Sequence, residues 1–427
     1  MVDVWLPYGK TDVCVRIPAR NLLGTIEPNE KQGEVDSKAE IERALKEPIG
    51  TKRLNEIAKA ESKVAIVVDD VTRSAPSERI LLPVLTELNS VGVKDENVTI
   101  IFGCGTHRAV KPEEMKQLIG EEVLKRIRAI SHDAKATDLV YIGKTKTYDN
   151  KVYINKIFAE ADVKVLLGDV QYHYYAGYGG GRKSVLPAVA GSETIRHNHA
   201  LLVSASATTG NLENNPVHID MTEAARLAKV DFIVNVVVNK KGEIVKAFAG
   251  DMEAAFLEAT KLVDEMYRVT VDRRADIIVV SAGGYPTDLT LYQALKSMDA
   301  SLDAVKRGGI IILVAECMEG YGNQVFYDWM SRIGEVKTVE REVKRNFAVG
   351  GQRAYYLLKA LLNHQIVLVS SMPDFYANSI FKLKTARAIN DALAEAFKTA
   401  GSAARVWAMP NGTKTLPIYR APEDNKQ

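Results

Sequence analysis

Val64-Ala65-Ile66-Val67-Val68-Asp69-Asp70-Val71-Thr72-Arg73-Ser74 is the stretch whose reading decides the fold. Its first five residues are apolar without interruption, too short a run for a helix and without the alternation of a half-exposed strand. Continuous hydrophobicity of that length marks a strand buried on both faces, as in a parallel sheet. The same pattern recurs at residues 98–102, 163–167, 232–238, 277–280, 310–314 and 366–369. Between these runs lie stretches with helical spacing. Residues 77–91 place Ile80, Leu81, Val84, Leu85 and Leu88 at steps of three and four, with Pro76 before them and Gly92 after as start and stop signals. Pro83 makes the first turn there irregular. Residues 111–130 and 381–400 also read as helical.

Strand–helix alternation predicts an α/β fold: two α/β domains with mostly parallel sheets. The charged segment 264–274 precedes a fresh strand near Asp276. That sets the expected boundary: an N-terminal domain over 1–272, a C-terminal domain over 273–401, and a tail, 402–427, that can pack back onto the first.

Composition excludes several classes. The 427 residues are 46% hydrophobic and 26% charged, ordinary for a globular chain. Lys plus Arg number 56 and Asp plus Glu 54, a net charge of +2, which argues against a nucleic-acid protein held by a basic face. Cys14, Cys104 and Cys317 are far apart and odd in number, so a disulfide framework or a four-cysteine zinc site is not expected. Residues 1–17 carry Asp3, Lys10 and Asp12 and no apolar core of signal-peptide length. No apolar run approaches the roughly 18 residues that cross a bilayer. The expectation is a cytoplasmic small-molecule enzyme without membrane or nucleic-acid partners.

In open α/β sheets, ligands bind outside the carboxyl ends of the strands. The strand exits here read Asp69-Asp70-Val71-Thr72-Arg73, then Gly103-Cys104-Gly105-Thr106-His107-Arg108, then Gly168-Asp169-Val170-Gln171-Tyr172-His173, then Ser281-Ala282-Gly283-Gly284-Tyr285-Pro286-Thr287-Asp288. Together they look like the rim of one site. Each also has a plain structural reading. Asp70 and Thr72 can cap the following helix. Arg73 can be a surface charge, although a guanidinium at a strand exit suits a carboxylate or phosphate. A lone histidine is more often structural than catalytic, but His107 and His173 repeat one placement on two strands. His132 reads as a surface or supporting residue, and His197 and His199 as flanking Asn198 in a turn or helix start. His218 follows a turn signal, and His364 ends a helix whose dipole favours its charge.

The sharpest feature is Gly177-Tyr178-Gly179-Gly180-Gly181-Arg182-Lys183-Ser184. Its glycines expose backbone N–H groups, which invites a phosphate. It is not a P-loop, because Arg182 stands where that motif needs glycine before the lysine. The plain alternative is a flexible basic loop.

His173-x-x-Ala-Gly-x-Gly-Gly-Gly-Arg-Lys-Ser, followed by Pro187 and Asn198-His199, resembles the signature of the nickel-pincer lactate racemase family. Asp70-x-Thr-Arg73, Gly105-Thr-His107, and Tyr285-Pro-x-Asp288 with Leu291-Tyr292-Gln293-Ala294-x-Lys296 resemble three further motifs of that family. These blocks run from residue 70 to 296, with weaker similarity toward both ends. The resemblance implies two α/β domains with the active site in the interdomain cleft. It implies racemisation of a small 2-hydroxy acid, lactate foremost, by reversible hydride transfer to a nickel-pincer pyridinium mononucleotide. Lys183 would form a thioamide with that cofactor and His199 would ligate its nickel, which suits square-planar Ni(II). Asp70, Val71, Thr72 and Arg73 would hold the nucleotide. His107 and His173 would be the acid–base pair, one for each face of the carbon. Arg73, Tyr292, Gln293 and Lys296 would bind substrate, and accessory proteins would build the cofactor.

Residues 350–356, Gly-Gly-Gln-Arg-Ala-Tyr-Tyr, bear on the substrate side chain. Arg353 facing the site would suit a dicarboxylate such as malate; Tyr355 or Tyr356 there would suit a short aliphatic chain. Two rival readings stay open at this point: a metal-dependent hydrolase using His107, His173 and His199, and a non-catalytic nucleotide-binding module built on the glycine loop.

Overall fold

The apolar runs become strands where the sequence puts them. The computed structural model describes residues 1–73 and 75–421. It divides the chain into two units, one formed by residues 30–265 and the other by residues 1–29 together with the chain from 266 onward.

The chain opens with an antiparallel hairpin, β1 (Val2–Tyr8) and β2 (Thr11–Ile17), followed by β3 (Leu22–Thr25). The central unit then contributes β4 (Val64–Asp69), β5 (Val98–Gly103), β6 (Arg128–Ser131), β7 (Val140–Lys144), β8 (Lys151–Ile154), β9 (Val163–Asp169), β10 (Tyr172–His173), β11 (Gly177–Tyr178), β12 (Phe232–Val238) and β13 (Ile244–Gly250). Its main sheet has the order β13-β12-β9-β4-β5-β6. All neighbours are parallel except β12 and β13. The chain runs outward from β4 to β5 and β6, then returns to lay β9 on the other side of β4. The carboxyl ends of β4 and β9 are therefore a topological switch point, where such sheets open a crevice for ligands. Ile66, Val68, Ile100, Phe102, Val165, Leu167 and Val234 are fully buried and pack with Leu81, Val84 and Leu88 of helix Ser77–Asn89. Pro83 is accommodated inside that helix.

The other unit continues with β14 (Arg268–Val271), β15 (Ala275–Ser281), β16 (Val305–Val314), β17 (Gln365–Val369), β18 (Lys384–Ala386), β19 (Val406–Met409) and β20 (Leu416–Tyr419). Its parallel sheet has the order β18-β17-β16-β15-β19-β3. The β1–β2 hairpin buries Val4, Leu6, Val15 and Ile17 against Ile277, Val279, Ile310 and Ile312 of this sheet.

Several expectations are corrected. Residues 1–29 and 402–421 both belong to the second unit and not to the first: β3 pairs with β19, and β19 with β15, so both segments complete the second sheet. The division falls at 265/266 rather than 272. Residues 111–130 are not one helix. Helix Pro112–Ile119 stops at Gly120, whose φ of +82° no helix continues, helix Glu121–Arg126 follows, and β6 takes the rest. Within 381–400 the helix begins only at Ile389, because residues 384–386 pair with β17 instead. The three cysteines are unpaired, and among the described residues no helix is long and apolar enough to cross a membrane.

Candidate active site

At the end of β4, Asp70 is 3% exposed. Its Oδ1 accepts from the Thr72 N–H (3.0 Å) and hydroxyl (2.6 Å), closing a local turn. It caps no helix, since the next one begins at Ser77 behind Pro76. Its Oδ2 lies 2.7 Å from Nδ1 of His107, which follows β5. Burial pushes the Asp70 carboxyl up, but the hydrogen bonds from His107 and Thr72 outweigh it and hold it below the usual range. An ionised carboxylate can only accept, so His107 donates from Nδ1 and a neutral ring keeps its lone pair on Nε2.

His173, on β10, is held the other way round. The Ala176 N–H donates to its Nδ1 (3.3 Å), so the neutral ring carries its hydrogen on Nε2. That nitrogen is 3.5 Å from Lys183 Nζ. Tyr174 stacks on the imidazole and Tyr175 meets it edge-on. The two histidines thus stand in opposite tautomers, one presenting a lone pair at Nε2 and the other an N–H.

The glycine run is a tight, partly buried turn leading into the buried residues 181–184. Gly180 has φ +79°, and a Cβ there would lie 2.7 Å from Val170 Cγ2 and 2.9 Å from the Asp169 carbonyl. The Gly181 N–H donates to Asn235 Oδ1 on β12 (2.8 Å). Arg182 is 1% exposed and turns inward as a strut. Its guanidinium donates to the Ala176 and Gly180 carbonyls and to His218 Nδ1, and it lies over the Phe256 ring. Because the Ala176 N–H in turn holds His173, the strut and His173 are tied to the same residue. Burial brings Arg182 down to about 9.

Lys183 is 7% exposed. Burial, then the charges of Arg73 and Arg182, pull its amine well below the ordinary lysine range, with Asp69 opposing. A desolvated amine without its proton is a nucleophile. Asp69, beside it, is pushed up to about 7 by burial and then by Asp169.

His199 lies in the last turn of helix Ser192–Ala200, 6% exposed. Its Nδ1 is 3.1 Å from Asn198 Oδ1. Asn198 gives its amide hydrogens to the Val217 carbonyl and to Asp220, so its oxygen faces the ring and His199 donates from Nδ1. This leaves the Nε2 lone pair, the form a metal ligand needs, set by the supporting hydrogen bond. Burial, then Lys183 and His107, bring His199 down to about 3, so it stays neutral. The Tyr175 ring neighbours both His199 and Lys183.

Among the described residues, no group of three or more His, Cys, Asp or Glu is placed to hold a metal. His107, His173 and His199 therefore do not form the ligand set that a hydrolase would need. A buried amine held well below the ordinary lysine range, near a single imidazole in the metal-binding tautomer, suits instead a group that carries its own donors and attaches to the protein.

The family model described as lactate racemase N-terminal domain matches residues 8–210, and that described as lactate racemase C-terminal domain matches residues 269–416. The chain belongs to the lactate racemase family. Lactate racemase from Thermoanaerobacterium thermosaccharolyticum is 34% identical over 97% of this chain and 99% of its own length, and that from Lactiplantibacillus plantarum is 34% identical over 96% and 99%. The solved structure of the lactate racemase apoprotein from T. thermosaccharolyticum superposes with a TM-score of 0.90 at 32% identity, covering 97% of this chain and 100% of that one. A Thermotoga maritima protein, 20% identical with a TM-score of 0.66 over 92% and 100%, shares the fold. Racemases are isomerases, and the chain is an enzyme of that class.

The remaining lactate racemase motif lies on the other unit. Helix Leu291–Ser301, capped by the Thr290 side chain, carries Tyr292 and Gln293 in its first turn, half-buried, and the exposed Lys296 one turn on. Asp288 is structural: its Oδ2 accepts from the Gly9 and Glu316 N–H groups. Arg353 is fully buried in an ion pair with Asp299, with its guanidinium beside the Tyr292 ring. It is not a free cation awaiting a second carboxylate.

Other expectations change as well. Val71 is 40% exposed and Arg73 half-buried; Ser74 lies outside the described residues. His132 is buried, not a surface residue, with Nε2 at the Ala190 carbonyl. His197 and His199 sit at the end of a helix rather than in a turn. His218 is the acceptor for Arg182. For His364, burial outweighs the helix end and lowers its pKa. Among the supporting residues, Arg182 and Asn198 stood in the sequence motifs without a supporting role, and Asp220 and Asn235 were not singled out at all. One signal was present: Asn235 is a polar residue in the middle of Phe-Ile-Val-Asn-Val-Val-Val.

Proposed function

We propose that this enzyme racemises lactate by reversible hydride transfer, with a nickel-pincer pyridinium nucleotide held covalently at Lys183. The observation that carries the reading is the pair of oppositely oriented imidazoles, His107 and His173, with His173 beside a buried lysine whose amine is held well below its ordinary range. When bound, the cofactor supplies a hydride acceptor, and its nickel takes His199 as protein ligand. Asp70, Val71, Thr72 and Arg73 hold the nucleotide.

The protein's own part is proton handling and orientation. His107 takes the hydroxyl proton at Nε2, and the Asp70 carboxylate stabilises the resulting imidazolium. His173 offers Nε2–H to the substrate oxygen. Protonated at Nδ1 from solvent water, at the cost of the 3.3 Å contact with Ala176, His173 gives its Nε2 proton to the oxygen when hydride returns to the opposite face, and His107 releases its proton to solvent. Arg73, Tyr292, Gln293 and Lys296 anchor the carboxylate while the keto acid turns. The inward pairing of Arg353 favours a methyl-sized side chain over the second carboxylate of malate. We place the enzyme in the cytoplasm, supplied by accessory proteins that build its cofactor.

The test is L-lactate conversion in D2O by protein made with the cofactor-building machinery. The expected result is D-lactate with protium retained at C2, abolished in His107→Ala and His173→Ala variants. Deuterium at C2 would overturn the hydride route, since it requires the α-hydrogen to leave as a proton.

A further inference from the structure

The buried side chain of Gln352 touches the hydroxyl of Tyr292. Gln352 is 3% exposed, in the first turn of helix Gly351–Leu361. Its Oε1 accepts from the Gly350 N–H (2.7 Å), and its Nε2 donates to Tyr292 Oη (2.8 Å). The amide cannot be turned over without facing its NH2 to the Gly350 N–H and leaving that buried donor unsatisfied. Gly350 is itself fixed, with φ +114° and no room for a Cβ, which would lie 2.0 Å from Asn323 Oδ1.

The polarity of the contact follows. Tyr292 Oη receives a hydrogen from Gln352, so its own hydrogen points elsewhere. The ring is held in place by Phe326 at its edge (6.1 Å between centroids) and by the Arg353 guanidinium 5.6 Å from its centroid, itself anchored by Asp299. We infer that Gln352 is a positioning residue for substrate binding: by donating to Tyr292 it directs the Tyr292 O–H toward the substrate carboxylate. The inference rests on the proposal that Tyr292 contacts substrate and assigns how that contact is oriented. Gln352 touches no reacting atom.

Gln352→Glu tests it. The carboxylate keeps the size of the side chain and an acceptor for Gly350 but has no hydrogen to give at pH 8. Tyr292 would then donate to it and turn its hydrogen away from substrate. KM for lactate should rise about tenfold, the scale of one hydrogen bond to a charged group, with kcat changed much less and the melting temperature near that of the wild type. Tyr292→Phe should give a similar rise, and adding Gln352→Glu to it should raise KM no further. Gln352→Leu, which cannot orient the hydroxyl at all, should fall between wild type and Gln352→Glu. An unchanged KM in Gln352→Glu, or additive effects in the double variant, would overturn the inference while leaving the racemase reading intact. A wild-type enzyme that loads its cofactor but does not racemise lactate would bring down that reading and this inference together.

Discussion

Asp70 and His107 show how one hydrogen bond selects a role. The carboxylate keeps Nδ1 of the ring protonated and leaves Nε2 as the base. Asp70→Asn preserves the shape but can present its NH2 to the ring and reverse the tautomer. Turnover should fall by about 10²–10⁴-fold with little change in thermal stability, read from kcat and a melting curve side by side. Asp69 offers a pH test. Its carboxyl is raised to about 7, against about 3.9 in an unfolded chain. The folded form therefore holds a proton that the unfolded form has lost, and the stability this gives fades as pH rises from 4 through 7. Asp69→Asn should gain on wild type, by on the order of 2–3 kcal/mol, between urea denaturations at pH 5 and pH 8. At this scale the sequence exposed residue types but not their orientation. His107, His173, Lys183 and His199 stood out by placement after strands and glycines, whereas the two tautomers depend on Asp70, on Ala176 and on Asn198, partners that spacing alone does not reveal. Arg353 was equally ambiguous, because nothing nearby in sequence announces Asp299, 54 positions away.

The elements were the most legible level, since seven apolar runs of strand length all lie within observed strands. Their hydrophobicity is continuous because both faces are covered, and that signal is local. Helix ends were less so: Gly120 breaks a periodic pattern through backbone geometry, and residues 384–386 become a strand because β17 offers a free edge. The glycine turn was visible as a motif, but its tight, partly buried conformation comes from Asn235 and Phe256 across the fold. Gly180→Ala puts a methyl against Val170 and the Asp169 carbonyl in a left-handed conformation. It should cost about 1–3 kcal/mol in urea unfolding and displace Lys183 enough to impair cofactor attachment.

Across the whole molecule, both chain ends build the unit that β15 and β16 begin, an arrangement that pairs residues nearly 400 apart and that no local signal could announce. Removing residues 1–25 deletes β3 and the hairpin that covers Ile277 and Ile310. Hydrogen exchange should then speed up across 275–314 and 365–369 and leave 64–68 and 98–103 protected. The central claim concerns the intact enzyme, and peptide mass spectrometry across Lys183, with nickel analysis of the same sample made alongside the cofactor-building machinery, tests it most directly. A nucleotide joined to Lys183 through a thioamide, with nickel present, is the expected result. An unmodified Lys183 in protein that still racemises lactate would contradict it.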